Sequence, residues 1–184
     1  MVAIPFHTIM IALDESDVSE KAFTAAKELA KALSAKLIIV HVLDPHNSRS
    51  PQPLYRYSKS ESIPVEQNVR ERYEQEWENF VNYYRELLKR KADEAIVSGI
   101  EVDFLQPHGS PGSTLCEVAK TVNASLMVIG SHQRRGMAEI MLGSTSNYIT
   151  HYSPCSVMVV YANDIEKDSD IETSEMNARD VSIV

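Results

Sequence analysis

The sequence predicts an α/β fold in which an open, doubly wound sheet of five parallel strands carries helices on both faces. Three observations lead there. Five short apolar runs alternate with segments whose apolar residues recur every three or four positions, the pattern of strands alternating with amphipathic helices. Two of the runs, Leu37-Ile38-Ile39-Val40 and Leu126-Met127-Val128-Ile129, are apolar throughout, as strands covered on both faces are. A helical pattern separates the first run from the second, and parallel neighbours need a crossover of that kind.

His7 to Leu13 forms the first strand, and Asp14-Glu15-Ser16-Asp17 turns the chain into a helix. Asp17 and Glu20 stand at capping-box spacing. Behind them Ala22, Ala26, Leu29, Ala30 and Leu33 make a stripe at helical period that faces the sheet. Lys36 to Leu43 is the second strand, and His41 within it reads as a hydrogen-bonded core or rim residue with no chemistry assigned. A long loop, residues 44–65, then breaks the periodicity with Pro45, Pro51, Pro53 and Pro64. It leaves the carboxyl end of a strand, where a loop of this length either covers a ligand or lacks order.

Glu66 to Ser98 is the longest helical pattern, with Val69, Tyr73, Trp77, Phe80, Tyr84, Leu87, Leu88, Ala92 and Ala95 spaced by three or four. Aromatic residues at that spacing read as core packing. Gly99 stops the helix. Ile100 to Leu105 alternates apolar with polar, as an edge strand with one wet face does. Ser110-Pro111 opens the next helix in the favoured order, with Leu115, Val118, Ala119 and Val122 as its buried stripe.

Ser125 to Ile129 is the fourth strand, and Gly130 marks either a sharp turn or a close approach to the backbone. A polar-basic loop with Arg134 and Arg135 follows, and Gly143-Ser144 starts a short helix running to His151. A strand end and a helix start joined by a basic loop make an anion cradle, since the first N–H groups of a helix lack internal partners. The fifth strand is Ser156 to Tyr161. With no further helix after it, its edge is open to pairing with a second copy of itself.

Among 184 residues, 26 acids outweigh 18 bases, giving a formal charge of -8 that disfavours nucleic acid as a partner. The last segment, Asp164 to Val184, supplies five of these charges, because seven acids there face only Lys167 and Arg179. The expected organisation is a domain over residues 1–162 and an acidic, disordered tail over 163–184. Cys116 and Cys155 are too few and too scattered for a disulfide framework or a zinc site. No targeting segment and no apolar run of membrane-spanning length is present, so the expected location is the cytoplasm, with no membrane partner.

The stretch from Gly130 to Ser144 resembles the signature of the universal stress protein family, Gly-x-x-Gly-x9-Gly-Ser/Thr. Gly130 matches the first glycine, Gly143 the third and Ser144 the residue after it, while Gln133 stands where the middle glycine is expected. The resemblance extends to Ile9-Met10-Ile11-Ala12-Leu13-Asp14, Ile39-Val40-His41-Val42, Gly109-x-Pro111 and Pro154-Cys155-Ser156-Val157-Met158-Val159-Val160. It implies a Rossmann-like sheet of strand order 3-2-1-4-5 and a homodimer formed through the fifth strand, residues 156–161. It also implies, in one subgroup, an adenine nucleotide, ATP or AMP, with Mg²⁺ accompanying ATP.

Carried over by position, Ala12, Leu13, Asp14 and Val42 would surround adenine and ribose, and Ile129, Gly130 and His132 would form the floor. Gln133 lies on the phosphate path, and Gly143, Ser144, Thr145 and Ser146 would hold the phosphates. Two readings follow. One is a dimeric adenine-nucleotide-binding regulator that acts on an unidentified protein partner. The other is a nucleotide-free dimeric interaction module of the same fold, in which Gln133 fills the phosphate space. Neither reading calls for an enzyme, since no motif pairs a nucleophile with its base, and slow ATP hydrolysis would be incidental. The acidic Asp14-Glu15-Ser16-Asp17 turn also argues against a phosphate loop after the first strand.

Overall fold

The computed structural model describes residues 6–52, 67–131 and 142–161. The elements in chain order are β1 (Thr8–Ala12), α1 (Asp17–Leu33), β2 (Lys36–Val40), α2 (Gln67–Val97), β3 (Val102–Leu105), α3 (Pro111–Thr121), β4 (Leu126–Ser131), α4 (Ser144–Tyr152) and β5 (Ser156–Tyr161). The strands form one sheet in the order β3-β2-β1-β4-β5, and every pairing is parallel. The α/β class and strand order are those expected from the sequence. Strand order reverses between β1 and β4, so their carboxyl ends diverge there and leave a crevice.

The period-two alternation of side chains divides the core between the two faces. Ile9, Ile11, Leu37, Ile39 and Val128 pack with Phe23 and Ala26 of α1 and with Leu88 and Ala92 of α2. Met10, Ile38, Val40, Met127 and Ile129 pack with Leu115 and Ala119 of α3 and with Ile149 of α4. Because both faces are covered, β1, β2 and β4 need no polar positions in their centres. The outer strand β3 is mostly exposed, as its alternating sequence implied.

Several local expectations are corrected. The cap of α1 is Ser16, one residue before the Asp17 box, and its side chain accepts from the backbone N–H of Ser19. Asp14 fixes that choice, because its Oδ1 accepts both from Ser16 N at 2.8 Å and from Ser16 Oγ at 2.5 Å. Asp17 and Glu20 instead place negative charge in the first turn, where the helix dipole favours it. β2 ends at Val40, short of Leu43, although its backbone still bonds toward β3: His41 N donates to Leu105 O and Leu43 N to Pro107 O. Gly99, at φ +81°, ends the turn after α2 as anticipated, and Ile100 is buried beside it, outside β3.

The aromatic stripe of α2 is core only in its second half. Tyr84, Leu88, Ala92 and Ala95 are buried, whereas Trp77 and Phe80 are half-buried and Tyr83 is exposed. Length explains this. At 1.5 Å per residue the 31-residue helix is about 46 Å long, while strands of four to six residues reach about 13–20 Å. A helix returning from the carboxyl end of β2 to the start of β3 therefore overhangs the sheet with its first half, on the side where the crevice opens.

β4 runs through Gly130 to Ser131, and Gly130 pairs with Val160 of β5. Gly130 is therefore not a turn; of the two roles its sequence allowed, close approach is the one that applies. β5 spans the expected residues and forms an outer edge, with Ser156 and Met158 exposed.

Candidate functional site

A cavity of about 210 Å³ opens at the divergence of β1 and β4, bounded by the loops after β1 and β2 and by the starts of α3 and α4. Ala12, Val40, Val42, Leu115 and Ile129 give it an apolar interior, and Asp14, Ser16, Asp44, Asn47, Thr145 and Ser146 give it a polar rim. Such a mixture suits a flat organic body held by a few oriented polar groups.

The first rim segment is held rigidly. Asp14 N donates to Ser19 Oγ at 2.8 Å, and the Asp14 carboxylate is anchored through Oδ1 to Ser16. The constraint on Gly130 comes from the same segment: a Cβ there would lie 3.0 Å from the Val18 carbonyl oxygen and 3.2 Å from Ser19 N. Lacking one, β4 lets the first turn of α1 settle against it, and this sets the height of Asp14 and Ser16 over the sheet. The Gly130 carbonyl also accepts from Ser146 Oγ at 3.3 Å, tying α4 to the end of β4.

α4 opens at Gly143, which has φ -59° and no side-chain cap, and an added Cβ at that position would meet nothing within 4 Å. Among the described residues no side chain caps the first N–H groups of this helix, a favourable setting for an anion.

Beneath the rim, His41 is buried, and its Nδ1 lies 2.8 Å from the Leu13 carbonyl oxygen. A carbonyl only accepts, so Nδ1 carries the proton. Burial pushes the imidazole below the ordinary histidine value, with the Leu13 contact and the charges of Asp14 and Glu15 opposing the shift. The ring stacks on Tyr84 at 3.7 Å between centroids. Burial and the neighbouring Glu15 carboxylate raise the Tyr84 hydroxyl pKa, partly offset by Arg49. His41 is thus a packed wall residue, in line with its sequence reading.

Of the residues singled out from the sequence, Ala12, Leu13, Asp14, Val42, Ile129, Gly130, Thr145 and Ser146 line this cavity together. Gly143 and Ser144 lie at the start of α4 just outside the lining. Ser146 is placed differently from its expected role: its hydroxyl is buried and spent on Gly130, leaving only its backbone for an anion. His132 and Gln133, with Arg134 and Arg135, lie outside the described residues. Sequence reasoning missed Ser16, Asp44, Asn47, Pro111 and Leu115. The turn-forming pairs Asp44-Pro45 and Asn47-Ser48 were the available signal for two of them. Among the described residues no group of three or more His, Cys, Asp or Glu side chains is placed to hold a metal ion, and no helix is long and apolar enough to cross a membrane.

The sequence profile of the universal stress protein family matches residues 5–161. The chain belongs to that family. Universal stress protein YxiE of Bacillus subtilis is 31% identical over 156 residues, which span 84% of this chain and 99% of that protein. Among solved structures, universal stress protein UspA from Lactobacillus plantarum matches with a TM-score of 0.62 at 20% identity, over 84% of this chain and 97% of its own. A universal stress protein family protein from Arabidopsis thaliana, solved with AMP bound, matches with a TM-score of 0.54 at 18% identity, over 89% and 97% of the two chains.

Proposed function

We propose that this universal stress protein is a dimeric adenine-nucleotide-binding regulator, with the nucleoside in the β1–β4 crevice and the phosphate at the start of α4. The observation that carries the reading is the pairing of a small apolar cavity, rimmed by the anchored Asp14 carboxylate, with an uncapped helix N-terminus beside it. At about 210 Å³ the cavity is below the roughly 300 Å³ where ligand pockets usually begin. It therefore suits the nucleoside alone, and the phosphate extends outward to α4. The AMP complex of the Arabidopsis thaliana family member supports the same ligand class.

Asp14 and the backbone at Val42 face the nucleoside, while Gly143, Ser144 and Thr145 offer N–H groups to the phosphate. ATP would bring Mg²⁺ coordinated mainly by its own phosphates and water, since the described residues supply no cation cluster. The chemistry is binding: His41, the histidine among the described lining residues, is committed to Leu13 and Tyr84. β5 is the dimer edge in this reading, and exposed Met158 is its most accessible apolar residue. Met158→Lys is expected to give monomers in light scattering.

Calorimetric titration with AMP and with ATP, with and without Mg²⁺, tests the ligand. Micromolar binding by the natural sequence supports the reading. Silence from the natural sequence, with binding restored in Gln133→Gly, would establish instead the nucleotide-free interaction module.

A further inference from the structure

The segment after β2 begins as a closed turn. His46 N donates to Asp44 Oδ1 at 2.8 Å, Arg49 N to Asn47 Oδ1 at 2.9 Å, and Ser50 Oγ to the Asp44 carbonyl at 2.6 Å. Gln52 Nε2 reaches the carbonyls of Pro45, Asn47 and Ser50, and Ser50 is buried under the turn. A loop with this many internal bonds is already ordered, so a ligand meeting it loses little to ordering. The turn is also clasped to the loop after β1: Arg49 Nη1 lies 3.4 Å from Glu15 Oε2, and both charges act on the Tyr84 hydroxyl.

Asp44 and Asn47 line the cavity as a second polar wall, alongside the first wall of Asp14 and Ser16. One oxygen of each side chain is held by the backbone of the turn. That leaves Asp44 a carboxylate oxygen that accepts and Asn47 an amide nitrogen that donates. A vicinal diol fits such a pair, since each hydroxyl can donate to the carboxylate and accept from the amide. An acidic side chain near the end of a second strand, bonded to ribose hydroxyls, is the arrangement parallel sheets use for dinucleotides.

We propose that Asp44 and Asn47 form this second wall to hold the sugar hydroxyls of the bound nucleoside, with the Arg49–Glu15 pair keeping the wall in place; the inference rests on the nucleotide reading above. The test compares AMP with 2′-deoxy-AMP by calorimetry in the natural protein, in Asp44→Asn and in Asn47→Ala. Asp44→Asn keeps an Oδ1 acceptor for His46 while removing the charge. A hydrogen bond to a carboxylate corresponds to roughly tenfold or more in affinity. The natural protein should therefore prefer AMP over 2′-deoxy-AMP by about tenfold, and Asp44→Asn should bring that ratio close to one.

Arg49→Ala should weaken both ligands together and leave the ratio. Melting temperatures of all three variants check that the fold is kept. If the natural protein binds AMP and the ratio survives Asp44→Asn, or both ligands lose affinity equally in it, the sugar assignment is overturned. If the natural protein binds neither ligand, the nucleotide reading itself fails.

Discussion

Gly130→Ala separates a glycine kept for folding from one kept for a ligand. The added Cβ would lie 3.0 Å from the Val18 oxygen, 3.1 Å from its carbonyl carbon and 3.2 Å from Ser19 N. Comfortable contacts begin near 3.5 Å, so the first turn of α1 must withdraw by about half an ångström or β4 must bend. Overpacking of this kind costs about 1–3 kcal/mol. Reduced freedom of the unfolded chain returns about 0.4–1 kcal/mol. The balance is a loss of about 1 kcal/mol, or about 2–4 °C in melting temperature for a chain of this size. Thermal unfolding followed by circular dichroism measures it. Gly143→Ser is the matched control, because its Cβ enters open space and its hydroxyl supplies a missing cap. That variant should melt no lower than the natural protein. A Gly130→Ala protein as stable as its parent but unable to bind AMP would refute the packing argument and return Gly130 to the ligand.

Three further predictions follow from the same geometry. Gly143→Val should leave the melting temperature nearly unchanged, since its Cβ meets nothing within 4 Å, while weakening AMP by about tenfold or more in calorimetry, because it adds bulk at the helix start where the proposed phosphate sits. Gly112→Ala places a Cβ 2.9 Å from Tyr148 Cβ and from two ring atoms, so it should wedge α4 from α3 and lower the melting temperature by several degrees. His41 titrates below its ordinary value of 6.5 in the folded protein. As pH falls below that value the unfolded chain takes up a proton that the folded one resists, so stability is full above it and declines until the folded value is passed. Urea melts across pH 5 to 8 should show this decline in the natural protein and a shallower one in His41→Gln.

The sheet was legible because its signal is redundant. β1, β2 and β4 are each covered on both faces, so each is apolar through its centre, and a boundary error of two residues leaves their identity intact. Caps and ends were less legible, because they turn on contacts between residues close in sequence but different in geometry. Asp17 with Glu20 satisfied the capping pattern, yet Asp14 reached Ser16 first and moved the cap back by one. In α2 the periodicity recorded which face turns inward but not where the sheet stops, so Trp77 and Phe80 read as core although they flank it. For the site, the glycine signature drew attention to β4 and α4. Asp44 and Asn47 lay in a proline-rich stretch with no period to mark them, and only the fold brings their turn to the crevice.

The residues that build the pocket also terminate the elements around it. Asp14 holds the α1 cap and lines the cavity, Ser146 ties α4 to β4 from the cavity floor, and Leu13 accepts from His41 while it closes β1 against β2. A ligand entering the crevice therefore meets groups already fixed by folding, and its binding carries little cost of ordering them. The same economy limits substitution. Ser146→Ala, although it removes no hydroxyl free to meet a ligand, releases the start of α4 from Gly130, so any loss of AMP affinity should come with a lower melting temperature. Ser144→Ala removes an exposed hydroxyl bonded to neither β4 nor the helix cap, so a loss of affinity there, with stability kept, would mark direct contact with phosphate.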